Sequence, residues 1–163
     1  MRPEDAVHLR AAITLSRAAG AKGNEPYGAL LVDAGGTPLA EAGNTQVTKR
    51  DSTGHAELNL LREASRRFDA AILTGCTVYA TGEPCAMCAG AIYWSGVRRL
   101  VYALPVARML ELARPGADEL LLSCREVFGR GIHAVDVIGP ALEDEAATVL
   151  IEHYRRPRTG GGA

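Results

Sequence analysis

Residues 76–104, CTVYATGEPCAMCAGAIYWSGVRRLVYAL, set the fold class of this chain. The stretch opens on a short run of β-branched and aromatic residues, 76–81, which predicts a strand. A helix is predicted to begin at Pro84, because proline suits the first turn of a helix, and to end near Ser95. A second strand is predicted over residues 99–103. A strand, a helix and another strand in direct succession are typical of an α/β fold.

The same alternation extends to both sides of this stretch. Before it, apolar periodicity and turn signals predict a helix, a hairpin of two strands and a second helix, over residues 3–19, 27–32, 38–43 and 54–68. After it, they predict two helices, a strand and a last helix, over residues 105–113, 117–125, 132–138 and 141–154. Helices that alternate with strands after a hairpin predict a three-layer α/β/α fold with a central mixed five-stranded sheet. We expect one domain over residues 1–154 and a flexible tail over residues 155–163.

The composition excludes several classes of protein. The 163 residues are 47% hydrophobic and 23% charged, which rules out a disordered, collagen-like or coiled-coil chain. The formal net charge of −1 disfavours a nucleic-acid partner, because clustered positive charge carries most of that affinity. No apolar run reaches the roughly 20 residues of a membrane span, and the first residues lack the apolar segment of a signal peptide. We therefore expect a cytoplasmic protein without a membrane partner.

Two short motifs, Gly54-His55-Ala56-Glu57 and Glu83-Pro84-Cys85-Ala86-Met87-Cys88, each lie at the start of a predicted helix. Cys85 and Cys88 are three residues apart, so their side chains share one face of the first helical turn. A helix N-terminus lowers thiol pKa values, which favours the thiolates that a metal ion needs. One histidine and two cysteines leave the fourth tetrahedral position of zinc open for water. The motifs therefore predict a catalytic metal site.

Glu57 adds a proton acceptor two residues after the histidine. Two thiolates reduce the charge of a zinc ion, so a nearby carboxylate that accepts a proton from water becomes useful. Hydrolytic deamination needs these parts, because water attacks the ring carbon and one carboxyl group passes protons to the ring nitrogen and to the departing ammonia. Glu57 is the candidate for that role.

Other interpretations of the same residues stay open. A Cys-x-x-Cys pair is also typical of thioredoxin-like redox proteins, and a lone histidine often caps a helix or lies in the core. A structural zinc site would need a fourth ligand, which Cys76 or Cys124 would have to supply. The joint occurrence of His-x-Glu and Pro-Cys-x-x-Cys, the signature of zinc deaminases, favours the catalytic interpretation. Cys76 and Cys124 are then predicted to take no part.

Residues 5–105 resemble the cytidine-deaminase-like superfamily of zinc deaminases, most of all the bacterial guanine deaminases and the tRNA adenosine deaminases. The matching segments are Glu25-Pro26-Tyr27-Gly28-Ala29, Asn44, residues 51–57 and residues 81–94. The resemblance implies one zinc ion (Zn2+) per chain, with His55, Cys85 and Cys88 as ligands and Glu57 as proton shuttle. It also implies a homodimer.

The resemblance further implies contacts to a bound base. Asn44 matches the asparagine that hydrogen-bonds the base, and the backbone at Ala29 and Ala56 lines the pocket beside it. Tyr27 is similar to the aromatic residue of guanine deaminases, where tRNA enzymes carry a small aliphatic one, and an aromatic face stacks on a heterocycle. Trp94, in an Ala-Ile-Tyr-Trp segment similar to theirs, and Asp118, in the region that closes their pocket, are further candidates. For both, a core or surface position without contact to a base is the alternative.

The chain also departs from the family pattern. Asp51-Ser52-Thr53-Gly54-His55 replaces the usual Asp-Pro-Thr-Ala-His, which predicts a looser loop, and beyond residue 105 the resemblance is weak. The last helix begins with acidic residues and is followed by few basic ones, which disfavours tRNA. We predict zinc-dependent hydrolytic deamination of a free nucleobase, guanine or a related aminated purine, pyrimidine or triazine ring. The alternative is a tRNA adenosine-to-inosine deaminase.

Overall fold

A computed structural model describes residues 1–112 and 120–155. Its helices in chain order are α1 (Pro3–Ala21), α2 (Gln46–Lys49), α3 (Ala56–Arg67), α4 (Ala70–Thr74), α5 (Ala86–Ser95), α6 (Val106–Leu112), α7 (Cys124–Gly129) and α8 (Glu143–Arg155). Its strands are β1 (Gly28–Val32), β2 (Pro38–Gly43), β3 (Thr77–Gly82), β4 (Arg99–Leu104) and β5 (Asp136–Ile138). In this part of the chain, no helix is long and apolar enough to cross a membrane.

The strands form one mixed sheet in the order β2-β1-β3-β4-β5. β1 runs antiparallel to both β2 and β3, whereas β3, β4 and β5 run parallel. Parallel strands need a crossover between them, and α5 supplies the crossover from β3 to β4. The five-stranded mixed sheet and the α/β class are therefore confirmed.

Alternate residues of β1 pack into two separate apolar clusters, one on each face of the sheet. Leu31 belongs to the cluster with Leu60 of α3 and Ile92 of α5. Its neighbour Leu30 belongs to the cluster with Leu9 of α1 and Leu150 of α8. Because successive side chains of a strand point to opposite faces, helices cover the sheet on both sides and give the three predicted layers.

Local capping moves one predicted helix. We predicted a helix over residues 117–125, but residues 120–123 are not helical and α7 begins at Cys124, while residues 113–119 lie outside the described residues. The Ser123 side chain accepts a hydrogen bond from the Glu126 backbone N–H, and the Glu126 carboxylate accepts one from the Ser123 N–H. This reciprocal capping box starts the helix where it is observed.

The short helices α2 and α4 were not predicted. The strand predicted over residues 132–138 is shorter, because β5 spans only Asp136–Ile138. The backbone N–H of Ile132 donates to the Tyr93 hydroxyl and not to a neighbouring strand. The tail predicted over residues 155–163 begins one residue early, because Arg155 is the last residue of α8, and residues 156–163 lie outside the described residues.

A buried ion pair ties α1 to the sheet. The Asp5 carboxylate accepts hydrogen bonds from the Arg99 guanidinium at 2.8 and 2.9 Å and from the Tyr79 hydroxyl at 2.8 Å. Burial alone raises the pKa of Asp5, but the hydrogen bonds from Arg99, the Arg2 backbone and Tyr79 outweigh it and hold that pKa well below its usual range. The ionised carboxylate therefore joins α1 to β3 and β4.

Replacing this carboxylate by its neutral isostere is expected to destabilise the fold. Asp5→Asn removes the buried counter-charge of Arg99 and leaves only the exposed Asp136 carboxylate, 3.6 Å from the guanidinium, which costs about 3 kcal/mol at pH 7. The stabilisation is complete above the ordinary carboxyl pKa of about 4 and is lost as the pH falls toward the lowered pKa of the folded chain. Urea unfolding at pH 7 and at pH 3 measures both effects.

The matched control is Arg17→Ala, which removes an exposed ion pair between Arg17 and Glu152 on the same side of the sheet. Exposed pairs contribute about 1 kcal/mol or less, so this variant should unfold close to the wild type. Equal stability of Asp5→Asn and Arg17→Ala would contradict the role given to Asp5.

Candidate active site

The N-termini of α3 and α5 bring one imidazole and two thiols together. His55 and Cys85 are the residues that precede these helices, each with an extended backbone, and Cys88 lies in the first turn of α5. The ligand atoms of His55, Cys85 and Cys88 all lie within 4.8 Å of one another, and Cys85 Sγ is 3.7 Å from His55 Nδ1. The three residues predicted as metal ligands thus form one group, although His55 and Cys85 are 30 residues apart.

This group has the donor set and the spacing of a zinc site. Zinc–sulfur and zinc–nitrogen bonds of about 2.3 and 2.0 Å in a tetrahedron place a sulfur and a nitrogen ligand about 3.5 Å apart. The 3.7 Å between Cys85 Sγ and His55 Nδ1 is close to that value. In the described ranges 1–112 and 120–155 the group contains only these three side chains, so neither Cys76 nor Cys124 belongs to it. The arrangement therefore fits a three-ligand site rather than a closed structural one.

The thiol pKa values of the two cysteines move in opposite directions. A hydrogen bond with Cys88, together with the nearby His55, lowers the pKa of Cys85 to about 4 against the effect of burial. The same hydrogen bond and burial raise the pKa of Cys88. A thiolate at Cys85, stabilised by the Cys88 thiol, is the form in which sulfur binds a metal ion.

The Glu57 carboxyl lies directly beside the cysteines. Glu57 is the second residue of α3, and its side chain is buried, with 6% of the residue exposed. The Cys88 thiol donates to Glu57 Oε2 over 3.6 Å. Burial raises the pKa of the Glu57 carboxyl. A carboxyl group that is withdrawn from bulk water and adjacent to the three ligand atoms is placed to exchange protons there.

Asn44 lies next to the loop that leads to His55. It follows β2 and is buried, and its backbone N–H donates to the Tyr27 carbonyl at 2.9 Å. The Asn44 side chain accepts from the Gln46 N–H at 2.9 Å and donates to the Gln46 side chain at 2.7 Å. The next residue, Thr45, donates its N–H to the Gly54 carbonyl at 2.8 Å. Asn44 is therefore held near His55, with its amide oriented by Gln46.

Ala29 and Ala56 belong to the apolar cluster beneath α3 and α5, and Tyr27 packs against this cluster and against the one on the other face of the sheet. Both alanines are fully buried. The half-buried Tyr27 ring packs beside Gly82, where an added Cβ atom would lie 3.4 Å from Cε1 of the ring. Gly82 ends β3 three residues before Cys85, so the aromatic ring borders the strand that leads to the cysteines.

Trp94 is not brought to this site. Trp94 is 85% exposed and packs edge-to-face against Tyr93 with ring centroids 5.6 Å apart. Six residues along α5 separate it from Cys88, about 9 Å of helix rise, so the indole lies away from the first turn. The tryptophan lies at the surface of the chain, and its contact with a base stays a prediction. Asp118 lies outside the described residues.

Asn59, which the sequence analysis missed, holds the loop before His55. Its side-chain amide donates to the Gly43 carbonyl at 3.0 Å, to Thr45 Oγ1 at 2.9 Å and to the Gly54 carbonyl at 3.2 Å. Asn59 lies one helical turn after His55, and a polar residue on the half-buried side of a helix was the available signal.

The expectation that Gly54 loosens this loop was wrong. A Cβ atom at Gly54 would lie 2.9 Å from Thr45 Oγ1, so glycine allows the loop to pack closely. Asp51 Oδ1 accepts from the Thr53 N–H at 2.9 Å and from its hydroxyl at 2.7 Å. The loop is therefore fixed by its own hydrogen bonds.

Glu83 is a second residue to which the sequence analysis gave no role. Its carboxylate accepts hydrogen bonds from the backbone N–H of Val106 at 3.3 Å and of Cys124 at 3.2 Å. These are the first residues of α6 and α7. Because Glu83 precedes Pro84-Cys85, one carboxylate connects the cysteine loop to both helices.

Known proteins resemble this chain along most of its length. Residues 2–104 match the model of the cytidine and deoxycytidylate deaminase zinc-binding region. A probable cytosine deaminase of Schizosaccharomyces pombe is 36% identical over 148 residues, which cover 88% of this chain and 88% of that protein. A tRNA-specific adenosine deaminase of Bacillus subtilis is 32% identical over 155 residues, or 95% of this chain and 91% of that protein.

A solved structure supports the same assignment. The structure of a guanine deaminase from Nitrosomonas europaea has a TM-score of 0.77 with this chain at 28% identity, and the match covers 93% of this chain and 84% of that one. The region matched by the family model contains His55, Glu57, Cys85 and Cys88. The chain therefore belongs to the cytidine and deoxycytidylate deaminase family.

Proposed function

We propose that this chain releases ammonia from a free nucleobase by zinc-dependent hydrolysis, with guanine or a related aminated purine, pyrimidine or triazine ring as substrate. The observation that carries the reaction type is the buried Glu57 carboxyl beside the group formed by His55, Cys85 and Cys88. A redox pair or a structural metal site has no need of this carboxyl.

His55, Cys85 and Cys88 would hold the zinc ion. When bound, zinc acts as a Lewis acid that makes water a nucleophile at neutral pH. Glu57 accepts the proton of the attacking water and delivers protons to the ring nitrogen and to the leaving amino group. One C–O bond forms, one C–N bond breaks, and the products are the oxo base and ammonia. The buried position of Glu57 keeps this proton transfer away from bulk water.

The region around Tyr27 supports a small planar substrate. The Tyr27 ring borders the end of β3, and Asn44, whose N–H binds the Tyr27 carbonyl, supplies an amide on the same side. An aromatic face and an amide are suited to stack on a heterocycle and to hydrogen-bond its edge. The Tyr154 hydroxyl of α8 donates to Glu25 at 2.7 Å and connects the C-terminal helix to this region. The similarity to a cytosine deaminase and to a guanine deaminase agrees with a free base.

A tRNA adenosine deaminase is the second candidate. The observation that favours it is the similarity to the Bacillus subtilis tRNA-specific adenosine deaminase over 95% of this chain.

The single domain over residues 1–154, the homodimer and the cytoplasmic location stay predictions from the sequence.

Removing the proton shuttle should separate metal binding from turnover. Glu57→Gln keeps the size of the side chain but cannot accept a proton, so we expect full zinc content and a loss of at least about 100-fold in kcat. Elemental analysis and ammonia release measure the two quantities. A variant that keeps a third of the wild-type kcat would refute the role of Glu57.

Removing a ligand should instead remove the metal. Cys85→Ser and His55→Ala are expected to lose zinc and to unfold at a lower temperature, because metal binding contributes to folding. A chelator should lower the Tm of the wild type and leave these variants unchanged. Cys76→Ala is the control, since Cys76 is a buried cysteine outside the group, and it should retain its zinc. Loss of zinc from this control and not from Cys85→Ser would contradict the ligand assignment.

A substrate panel decides between the two candidates. The zinc-loaded chain is incubated with guanine, isoguanine, cytosine and an aminated triazine, and separately with an adenosine-containing anticodon stem-loop. We expect ammonia from at least one free base and no inosine in the RNA. Inosine in the stem-loop with no release from any base would replace the proposed function with tRNA editing.

A further inference from the structure

A groove lined by positive charge, the α3 groove, lies between the end of β2 and the exposed side of α3. We infer that the α3 groove binds the phosphate group of a small ligand, at a site separate from the base site. Its volume is about 320 Å³. The side chains that decide its chemistry are Thr45, Lys49, Asn59, Arg62, Glu63 and Arg66.

The charged side chains of Lys49, Arg62 and Arg66 have no acidic partner among the residues that the structure describes. The side chains of Lys49, Arg62 and Arg66 make no hydrogen bond and no ion pair in the ranges 1–112 and 120–155. The one acidic side chain of the groove, Glu63, is 4.0 Å from Arg67, which does not line it. The Thr53 hydrogen bonds, and to a smaller extent the charges of Arg62 and Lys49, lower the pKa of Asp51. The Oδ1 atom of Asp51 already accepts hydrogen bonds from Thr53. The groove therefore carries excess positive charge.

The spacing of the two arginines has an energetic cost that an anion would remove. Arg62 and Arg66 are four residues apart on α3, so their side chains are neighbours on the helix surface. Like charges at this spacing repel and destabilise a helix. A phosphate between them turns this repulsion into attraction, because a guanidinium binds phosphate oxygens through two parallel hydrogen bonds. Lys49, from α2, adds a third charge on another side of the same cavity.

The size of the α3 groove favours a small ligand. Its volume of about 320 Å³ lies at the lower end of the range for small-molecule sites. A polynucleotide backbone needs positive charges that repeat along a surface, whereas these cations surround one cavity. The three cations match the oxygens of a single phosphate monoester, such as that of a sugar phosphate.

The α3 groove is adjacent to the candidate active site, but His55, Glu57, Cys85 and Cys88 do not line it. Thr45 and Asn59 line the groove, and Asn59 also binds the Gly54 carbonyl next to His55. The cations themselves lie further along α3 and on α2. A ligand in the groove would therefore contact Thr45 and Asn59 but not His55, which does not line the groove. Binding at this site is measured without turnover, so it is tested independently of the proposed function.

Calorimetry of the zinc-loaded full-length chain tests the inference. The probes are inorganic phosphate and ribose 5-phosphate, because neither carries a base that would enter the other site. We expect both to bind the wild type, and the Arg62→Gln/Arg66→Gln variant to bind at least about ten-fold more weakly. Arg17→Gln is the matched control: it removes an exposed arginine that pairs with Glu152 outside the groove, and it should leave binding unchanged. Deamination without the probes should be the same in all three proteins.

Three results would overturn the inference. The first is no binding of either probe to the wild type, and the second is equal binding to the wild type and the double variant. The third is binding of an RNA stem-loop that the double variant loses while both small probes fail, which would assign the groove to a polynucleotide.

Lys49→Gln, on a separate helix, repeats the test if the double variant does not fold. Phosphate binding with silence across the base panel would remove the proposed function and leave this site.

Discussion

The ligand atoms of His55, Cys85 and Cys88 lie within 4.8 Å of one another, and the other features of the site depend on this convergence. It requires α3 and α5 to begin at the same end of the sheet. Once they do, Glu57 enters the site because it is the second residue of α3. Both helix N-termini also carry partial positive charge, which stabilises the thiolate form of the cysteines. The fold thus sets the position of the carboxyl and the charge state of the ligands together.

Hydrogen bonds from outside the motifs keep the two loops in place. Asn59 joins α3 to the residues on both sides of the β2–α3 loop, so the backbone at His55 is held by its own helix. Glu83 does the same for the cysteine loop, because it binds the first residues of α6 and α7. Ligands on such supported loops keep their geometry without the metal, which lowers the entropic cost of binding it. The two residues also connect the metal group to more distant parts of the chain.

The features that depend on a local sequence pattern could be predicted, whereas those that depend on tertiary packing could not. The strand–helix–strand unit follows from residues close together in the chain, and the metal group was predictable because two short motifs carry its residues. The start of α7 was readable from Ser123 and Glu126, but the apolar run before them favoured an earlier helix. The exposure of Trp94 depends on which elements pack over α5, and composition does not show this. Net charge likewise hides the α3 groove, since its cations are balanced by acids elsewhere.

Zinc K-edge absorption spectroscopy of the purified protein tests whether His55, Cys85 and Cys88 bind one zinc ion, since it counts the atoms around the metal. The account predicts one zinc per chain, with two sulfur atoms at about 2.3 Å and two lighter atoms at about 2.0 Å. One of the lighter atoms should be exchangeable, as a small anion that displaces it would show. A metal-free protein, or zinc enclosed by three or four sulfur atoms, would contradict the claim.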